Sequence, residues 1–556
     1  MPALSDAIPR PPGDGAPEER FLPEAMRGQL IEAEHHARYR FHAAVVRDRW
    51  IVAALAVGGL VLGLPYALSA GFVYDDWNLV SHQILDIPVT GLYVGSGLQL
   101  SLVLEGPMFG ANAHLYYVVA ALVFSLAVVA LYVALRALRV ARICALMAST
   151  LLLAFPAADS GRLWYTATLT VALAALLAMF GMAAGSRWVE NRTRSRMWLA
   201  ASLLLWAGAI FCYFSVVVLM LLPVTLVPLS PHRRKTLLNL GMNLVVGVVC
   251  LAIILPSSLT SQYHANWALS AYPSRALALW IAGYQFLVVG PFGRVTVVAL
   301  ALGLVAACLA GFSHVILGRG RRLPRRAPTH VRRNLAALGL LLIGTLAAWT
   351  PLIPANAYYT PSTLGVGNRV NGLAQIFLLT AVAVLVTTVA GLAGRLLRQP
   401  IVATATAAGL AVLLLANSLP QTITHAEGYS DAATIRNSIL TLVAELGPAP
   451  RPGTTLLLGD YDEYDTQNWV PVFASIWDFN GAVQILYRDP TLSGYPVLPV
   501  LSCTSNGLSG LPNASSDVPY NNLVFVDVGR HLRADVHNQA TCATLLPALL
   551  ARPYPS

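Results

Sequence analysis

The chain is short of charge. Of its 556 residues only 11% are Asp, Glu, Lys or Arg, against 56% hydrophobic, and the mean hydropathy is +0.63. Those values lie far outside soluble globular averages and exclude that class. Lysine is almost missing, with Lys235 the single example, which we read as a codon-composition bias with no mechanism attached. The formal charge of +10 does not point to nucleic acid, because the arginines sit in short clusters between apolar segments and so report topology. A cleaved signal peptide is not expected, because the polar lead of 49 residues before the first apolar segment is too long for one. His82, His114 and His264 have no ligand spacing, so no zinc site is expected. No internal repeat is visible.

What remains is a polytopic α-helical membrane protein of about eleven transmembrane helices. The apolar segments fall near 51–70, 114–135, 143–155, 165–185, 197–210, 213–229, 237–256, 295–317, 334–350, 372–392 and 401–418. Several are shorter than the ~20 residues that span a bilayer comfortably. Charge arbitrates the 197–229 stretch, which reads as one long helix or as a tight hairpin. With the N-terminus in the cytoplasm and a hairpin counted, 19 basic residues fall in inner loops. Outer loops before the C-terminal region then hold only Arg162, Arg275, Arg294 and Arg369, the asymmetry of the positive-inside rule. A crossing at 276–290 would reverse everything downstream, so that stretch is expected to lie along the interface.

Three parts follow: a cytoplasmic segment 1–49, a membrane domain 50–418, and an extracytoplasmic α/β domain 419–556. The last alternates strand-like runs (Thr455-Leu-Leu-Leu-Gly, Leu523-Val-Phe-Val-Asp) with turns and helical stretches. Its two cysteines, Cys503 and Cys542, suggest a disulfide in an oxidising compartment, worth about 2–4 kcal/mol.

The outer loops carry the candidate chemistry. Directly after the first span comes Tyr74-Asp75-Asp76-Trp77-Asn78, in a loop (71–113) without Lys or Arg. A carboxylate pair beside lipid needs water, a partner or a task. One reading has an Asp cap a short helix from Trp77 to Leu85; the other makes the pair catalytic, with Asp76 slightly preferred over Asp75. The second loop reads Asp159-Ser-Gly-Arg162, either a local ion pair in a turn or a second carboxylate facing the first. Later loops bring Tyr263, His264, Tyr358 and Tyr359 as aromatic and polar surfaces, and Asn368 and Arg369 in a glycine-bearing stretch. An arginine on a freely moving backbone is shaped to grip phosphate oxygens at two points. A carboxylate to deprotonate a hydroxyl, a cation for a phosphate leaving group and aromatics for sugar faces suit glycosyl transfer from a lipid-linked phosphate.

A hydrophobic first helix followed at once by an acidic pair, about eleven spans, and a C-terminal extracytoplasmic domain resemble the GT-C superfamily of integral membrane glycosyltransferases. The resemblance covers 50–418, and its motif maps onto Asp75 and Asp76. Asp159 falls where some members carry a second acid, and Arg369 is carried over to phosphate binding by its late outer loop. The resemblance implies a polyprenyl-phosphate sugar donor, inversion at the anomeric carbon, and a glycan, lipid or protein acceptor. An Arg/Ala-rich chain of this kind is similar to actinobacterial cell-envelope mannosyl- and arabinofuranosyltransferases. A divalent cation is compatible with such a site and unsupported by any motif here. The rivals are a polymerase or ligase using lipid diphosphate-linked glycans, and a transporter or flippase. The last would normally carry ionisable or broken segments at mid-membrane depth, whereas these spans hold almost no charge at their centres.

Overall fold

The computed structural model describes residues 48–87, 105–190, 195–229, 233–260, 269–293, 327–354, 359–362, 365–396, 399–465, 470–511 and 516–549. Residues 1–54 and 55–556 form separate compact units, and the second contains everything below that bears on a site. The expected span at 295–317 lies outside the described residues.

Among the described residues seven helices are long and apolar enough to cross a membrane: α1 (Asp48–Ala67), α3 (Ala113–Ala137), α5 (Tyr165–Val189), α8 (Tyr272–Gly293), α9 (Val331–Leu352), α10 (Ala374–Arg395) and α11 (Ile401–Glu445). Between them stand the short helix α2 (Asp75–Ile84) and the apolar helices α4 (Arg142–Ala154), α6 (Ser195–Cys212) and α7 (Arg233–Thr260). The protein is therefore a polytopic α-helical membrane protein with a C-terminal sheet region.

Helix α5 is the most enclosed of the seven and packs on α3 and α6, while α10 packs between α9 and α11. Without a hydrophobic driving force between helices in lipid, small residues set how closely they approach. Gly59 and Gly63, one turn apart on α1, show this: a Cβ at Gly63 would meet the Ala121 methyl of α3 at 2.9 Å.

Three details depart from the sequence expectation. The stretch 197–229 is neither one helix nor two regular ones. Helix α6 stops at Tyr213, whose extended backbone (φ −156°) breaks the ladder, and 214–221 continues as 3-10 helix. The stretch 276–290, set aside for charge parity, belongs to α8, whose 22 residues and hydropathy of 1.5 suit a span. Finally the last apolar segment does not end near 418. Pro400–Glu445 is one helix of 46 residues, so the expected boundary at 419 falls inside it. At 1.5 Å per residue it is about 69 Å long, more than twice the ~30 Å hydrocarbon core, so it must project well beyond the membrane. Pro420 removes one backbone bond without breaking the helix.

Beyond α11 the chain builds two small hairpins, β2 (Tyr464–Asp465) with β3 (Val470–Pro471) and β5 (Ser502–Cys503) with β6 (Leu508–Ser509), and a four-stranded sheet in the order β4-β1-β7-β8, with β1 (Thr455–Gly459), β4 (Ser493–Pro496), β7 (Leu523–Asp527) and β8 (Leu532–Asp535). Strand β1 is parallel to β4 and β7, and β8 is antiparallel at the edge. Strands β1 and β7 are buried throughout, which is why they read as unbroken apolar runs. Helix α12 (Ile476–Tyr487) connects β1 to β4; Ser475 and Asp478 close a capping box at its start. The Cys503–Cys542 disulfide is formed, with Cα atoms 5.9 Å apart. It ties a short hairpin strand to the final helix α13 (Gln539–Leu549).

Candidate active site

The site forms where α2 is caught between the membrane helices and α12. Helix α12 packs along α2, and Gly481 lies so close to the Trp77 carbonyl that no side chain could stand there. Tyr74, just before the acidic pair, has φ 54°, a costly conformation for a bulky residue. It is held by a 3.0 Å hydrogen bond between its hydroxyl and Ser475 Oγ. Edge-on contacts with Trp164 (5.8 Å) and Trp477 (5.6 Å) complete its setting. This turn delivers Asp75 and Asp76 as the first two residues of α2; neither is the cap itself. Their charges there favour the positive end of the helix dipole.

The neighbours face opposite ways. Asp76 is fully buried and accepts hydrogen bonds from the Val73 N–H (3.0 Å), the Tyr117 hydroxyl (2.8 Å) and the Thr166 N–H (3.0 Å). The Thr166 hydroxyl donates a fourth. Burial pushes its carboxyl up to about 6, against the pull of those donors. Asp75 points instead toward Arg369, 3.7 Å from Oδ2 to Nη1. Burial raises its pKa also, the Arg369 charge draws it back, and the Trp477 indole lies near enough to help, although its N–H makes no well-formed hydrogen bond. A separation of 3.7 Å is an ion-pair distance but too long for a hydrogen bond.

Arg369 leaves a 3-10 turn over Val366–Asn371 that follows Gly365 at φ 69°. Its guanidinium lies over Trp164 (4.9 Å to the ring centroid) and Tyr359 (5.2 Å), a stacked arrangement that arginine adopts and lysine does not reproduce. Asn368 does not face this space. It is buried, accepts from the Ser160 N–H at 2.9 Å and donates to the Ala157 carbonyl at 3.0 Å, tying the late loop to the second one.

Asp159 lies elsewhere. Its carboxylate is closed between Arg162, three residues on, and His425 Nδ1 at 2.6 Å. Arg162 also donates to the Leu153 carbonyl at 2.7 Å. The structure gives the second loop its local ion pair, and the Asp159 carboxylate makes its contacts there. Tyr263, His264 and Tyr358 lie outside the described residues.

The sequence reading missed four side chains: His425, Tyr429 and Arg436 on α11, and Trp477 on α12. Tyr429 meets Ser160 Oγ at 2.9 Å. The signal for the α11 set was available as spacing, since buried Ser418, Thr422, His425, Tyr429 and Arg436 recur at steps of helical period. Among the described residues no three His, Cys, Asp or Glu side chains come together as a metal cluster would.

No family model and no curated protein matches the chain. Among solved structures it is similar to an Archaeoglobus fulgidus oligosaccharyltransferase tethered to an acceptor peptide, at 12% identity and TM-score 0.40, covering 80% of this chain and 63% of that one. It is also similar to the oligosaccharyltransferase AglB of that archaeon in complex with an inhibitory peptide and a dolichol-phosphate (12%, TM-score 0.41, 81% and 64%). A third is ArnT from Cupriavidus metallidurans bound to undecaprenyl phosphate (16%, TM-score 0.34, 80% and 85%). The chain spans less than two thirds of the length of both oligosaccharyltransferase chains, and the likeness is one of general arrangement.

Proposed function

We propose that the protein is an inverting glycosyltransferase that moves a sugar from a polyprenyl-phosphate donor to a hydroxyl of a cell-envelope glycan, lipid or protein, at the outer face of the membrane. The observation that carries this is the Asp75–Arg369 couple: a carboxylate and a guanidinium held apart at 3.7 Å, with Trp164 and Tyr359 beneath the guanidinium. Asp75 is the base. Burial raises its proton affinity toward the useful range, and it takes the acceptor proton as the hydroxyl oxygen attacks the anomeric carbon. The bond from that carbon to the phosphate oxygen breaks, and Arg369 stabilises the charge gathering on the departing phosphate. In the absence of substrate the two charges neutralise one another. Asp76, with all its bonds inward, orients α2 instead. The outer-face placement rests on the loops ahead of α8, where ten basic residues (Arg136, Arg139, Arg142; Arg187, Arg192, Arg194, Arg196; Arg233, Arg234, Lys235) fall on the side opposite the acidic first loop and only Arg162 and Arg275 fall with it.

Native mass spectrometry of the purified protein tests the donor class directly. A co-purifying polyprenyl-phosphate sugar, lost from the Arg369→Ala protein, is the expected result. A lipid diphosphate-linked glycan retained in its place would move the protein to the polymerase or ligase class.

A further inference from the structure

Tyr74 touches both sides of the Asp75–Arg369 couple. Its ring stands between two indoles, Trp164 at 5.8 Å and Trp477 at 5.6 Å, each met edge-on. Trp164 is the ring over which the Arg369 guanidinium lies, at 4.9 Å. The backbone of Tyr74 leads straight into Asp75, the first residue of α2. One buried side chain thus braces the support of the guanidinium and carries the carboxylate. Its φ of 54° is a conformation that a bulky residue keeps only when its surroundings impose it.

The start of α12 imposes it. Within the capping box the Ser475 hydroxyl accepts the Asp478 N–H. It donates its own proton to Tyr74 Oη at 3.0 Å, a buried bond between residues 401 positions apart. The rest of α12 presses on α2 without aiming it. A Cβ at Gly481 would meet the Trp77 carbonyl at 2.4 Å, and the Phe473 and Trp77 rings lie 6.4 Å apart. The hydrogen bond adds direction to that pressure.

We infer that Ser475 is a positioning residue of the catalytic centre, acting through Tyr74 to set the separation of Asp75 from Arg369. This rests on the glycosyltransferase reading for its effect on turnover; the coupling of the two charges is measured without substrate. With the bond gone, the Tyr74 ring can tilt between its indoles and its φ can relax. Asp75 then swings, while the guanidinium stays on Trp164 and Tyr359. At 3.7 Å the couple is already close to the limit of an ion pair, so a small swing separates it. The C-terminal region is in this way part of the catalytic centre, since one of its residues sets the geometry of the base.

Three variants separate positioning from helix capping. Tyr74→Phe removes the bonded hydroxyl but keeps the ring and the cap, Ser475→Ala removes both bond and cap, and Ser475→Thr keeps both. The readout is a double-mutant cycle on the Asp75–Arg369 coupling, followed by infrared pH titration of purified full-length protein. The Asp75 carboxyl band is identified by its loss in Asp75→Asn. In otherwise native protein Arg369→Gln should raise the Asp75 midpoint, because the neighbouring cation favours the carboxylate. We expect the same replacement to shift it by less than half as much in Tyr74→Phe and Ser475→Ala proteins, and by the native amount in Ser475→Thr. Turnover should fall by about 10–10²-fold in the first two at an unchanged donor KM, with Ser475→Thr near native. A merely structural role would leave the coupling of the folded protein unmoved. An undiminished coupling in folded Tyr74→Phe protein overturns the inference, as does an Asp75 midpoint that Arg369→Gln does not move. Should Tyr74→Phe not fold, equal couplings in Ser475→Ala and Ser475→Thr overturn it. Absence of any transfer by the native protein would instead remove the glycosyltransferase reading and leave the coupling result standing.

Discussion

Two aspartate–arginine pairs, one within a single loop and one joining two loops, are alike in chemistry and opposite in construction. Asp159 and Arg162 lie three residues apart, their side chains 0% and 7% exposed, and His425 closes the far side of the carboxylate. Asp75 and Arg369 are brought together from the first and a late loop, 12% and 14% exposed, and their 3.7 Å gap is too wide for a hydrogen bond. A pair made by local sequence can be satisfied where it forms, and a satisfied buried pair has nothing left to offer a substrate. A pair assembled by the fold can be held slightly open, because each partner is fixed by its own surroundings: Asp75 by the strained turn at Tyr74, Arg369 by Trp164 and Tyr359. Closure suits structure, and the open gap suits chemistry.

This contrast can be broken at several points. The largest effect should come from Asp75→Asn, which keeps shape but removes the base: turnover should fall about 10²–10⁴-fold with the fold intact. Its neighbour gives the control. Asp76→Asn sets an amide against four donors and should cost stability as well as rate; a melt of each protein beside a transfer assay separates the two. If Asp75→Asn is fully active, the open pair has no catalytic role. Next comes Asp159→Asn, which leaves Arg162 and His425 without their shared carboxylate. We expect a loss of about 3–5 kcal/mol in stability, read by denaturation in detergent, while the folded fraction keeps its donor affinity. An unchanged melt would end the distinction from the closed side. Arg369→Lys sharpens it most finely: the charge stays, but the stacking on Trp164 and Tyr359 and the two-point grip go. Donor affinity should fall by about 2 kcal/mol, roughly 30-fold, as measured by titration with the lipid phosphate.

Asp76 also gives stability a pH dependence. Burial holds its native pKa at about 6, above the ordinary value of 3.8, so the group favours the folded state below the lower value. That advantage is lost as pH rises through about 6, a swing of about 3 kcal/mol.

The membrane class, the acidic first loop and the disulfide were legible because each leaves a local mark: an apolar run, a charge beside a span, two cysteines in one region. The roles of Asp75 and Asp76 relative to one another were not, since adjacent residues on a helix start differ only in what Thr166, Tyr117 and Arg369 bring to them from far along the chain. His425, Tyr429 and Arg436 were missed for another reason. The drop in hydropathy after 418 reads as a domain boundary, but the helix α11 continues through it to Glu445. Likewise α8 was judged by loop charge, although its length and composition fit a span.

The capture of α2 has a consequence for how the protein is made. The Tyr74–Ser475 hydrogen bond joins residues 401 positions apart, and Thr166, which holds Asp76, follows it by 90. At translation rates of about 5–20 residues per second, Asp76 waits some 5–18 s for Thr166, and Tyr74 waits roughly 20–80 s for Ser475. Throughout that interval the acidic turn has left the ribosome without the helix that locks it. A nascent chain therefore carries its acidic loop unlocked until Ser475 and the helix that follows it have been synthesised.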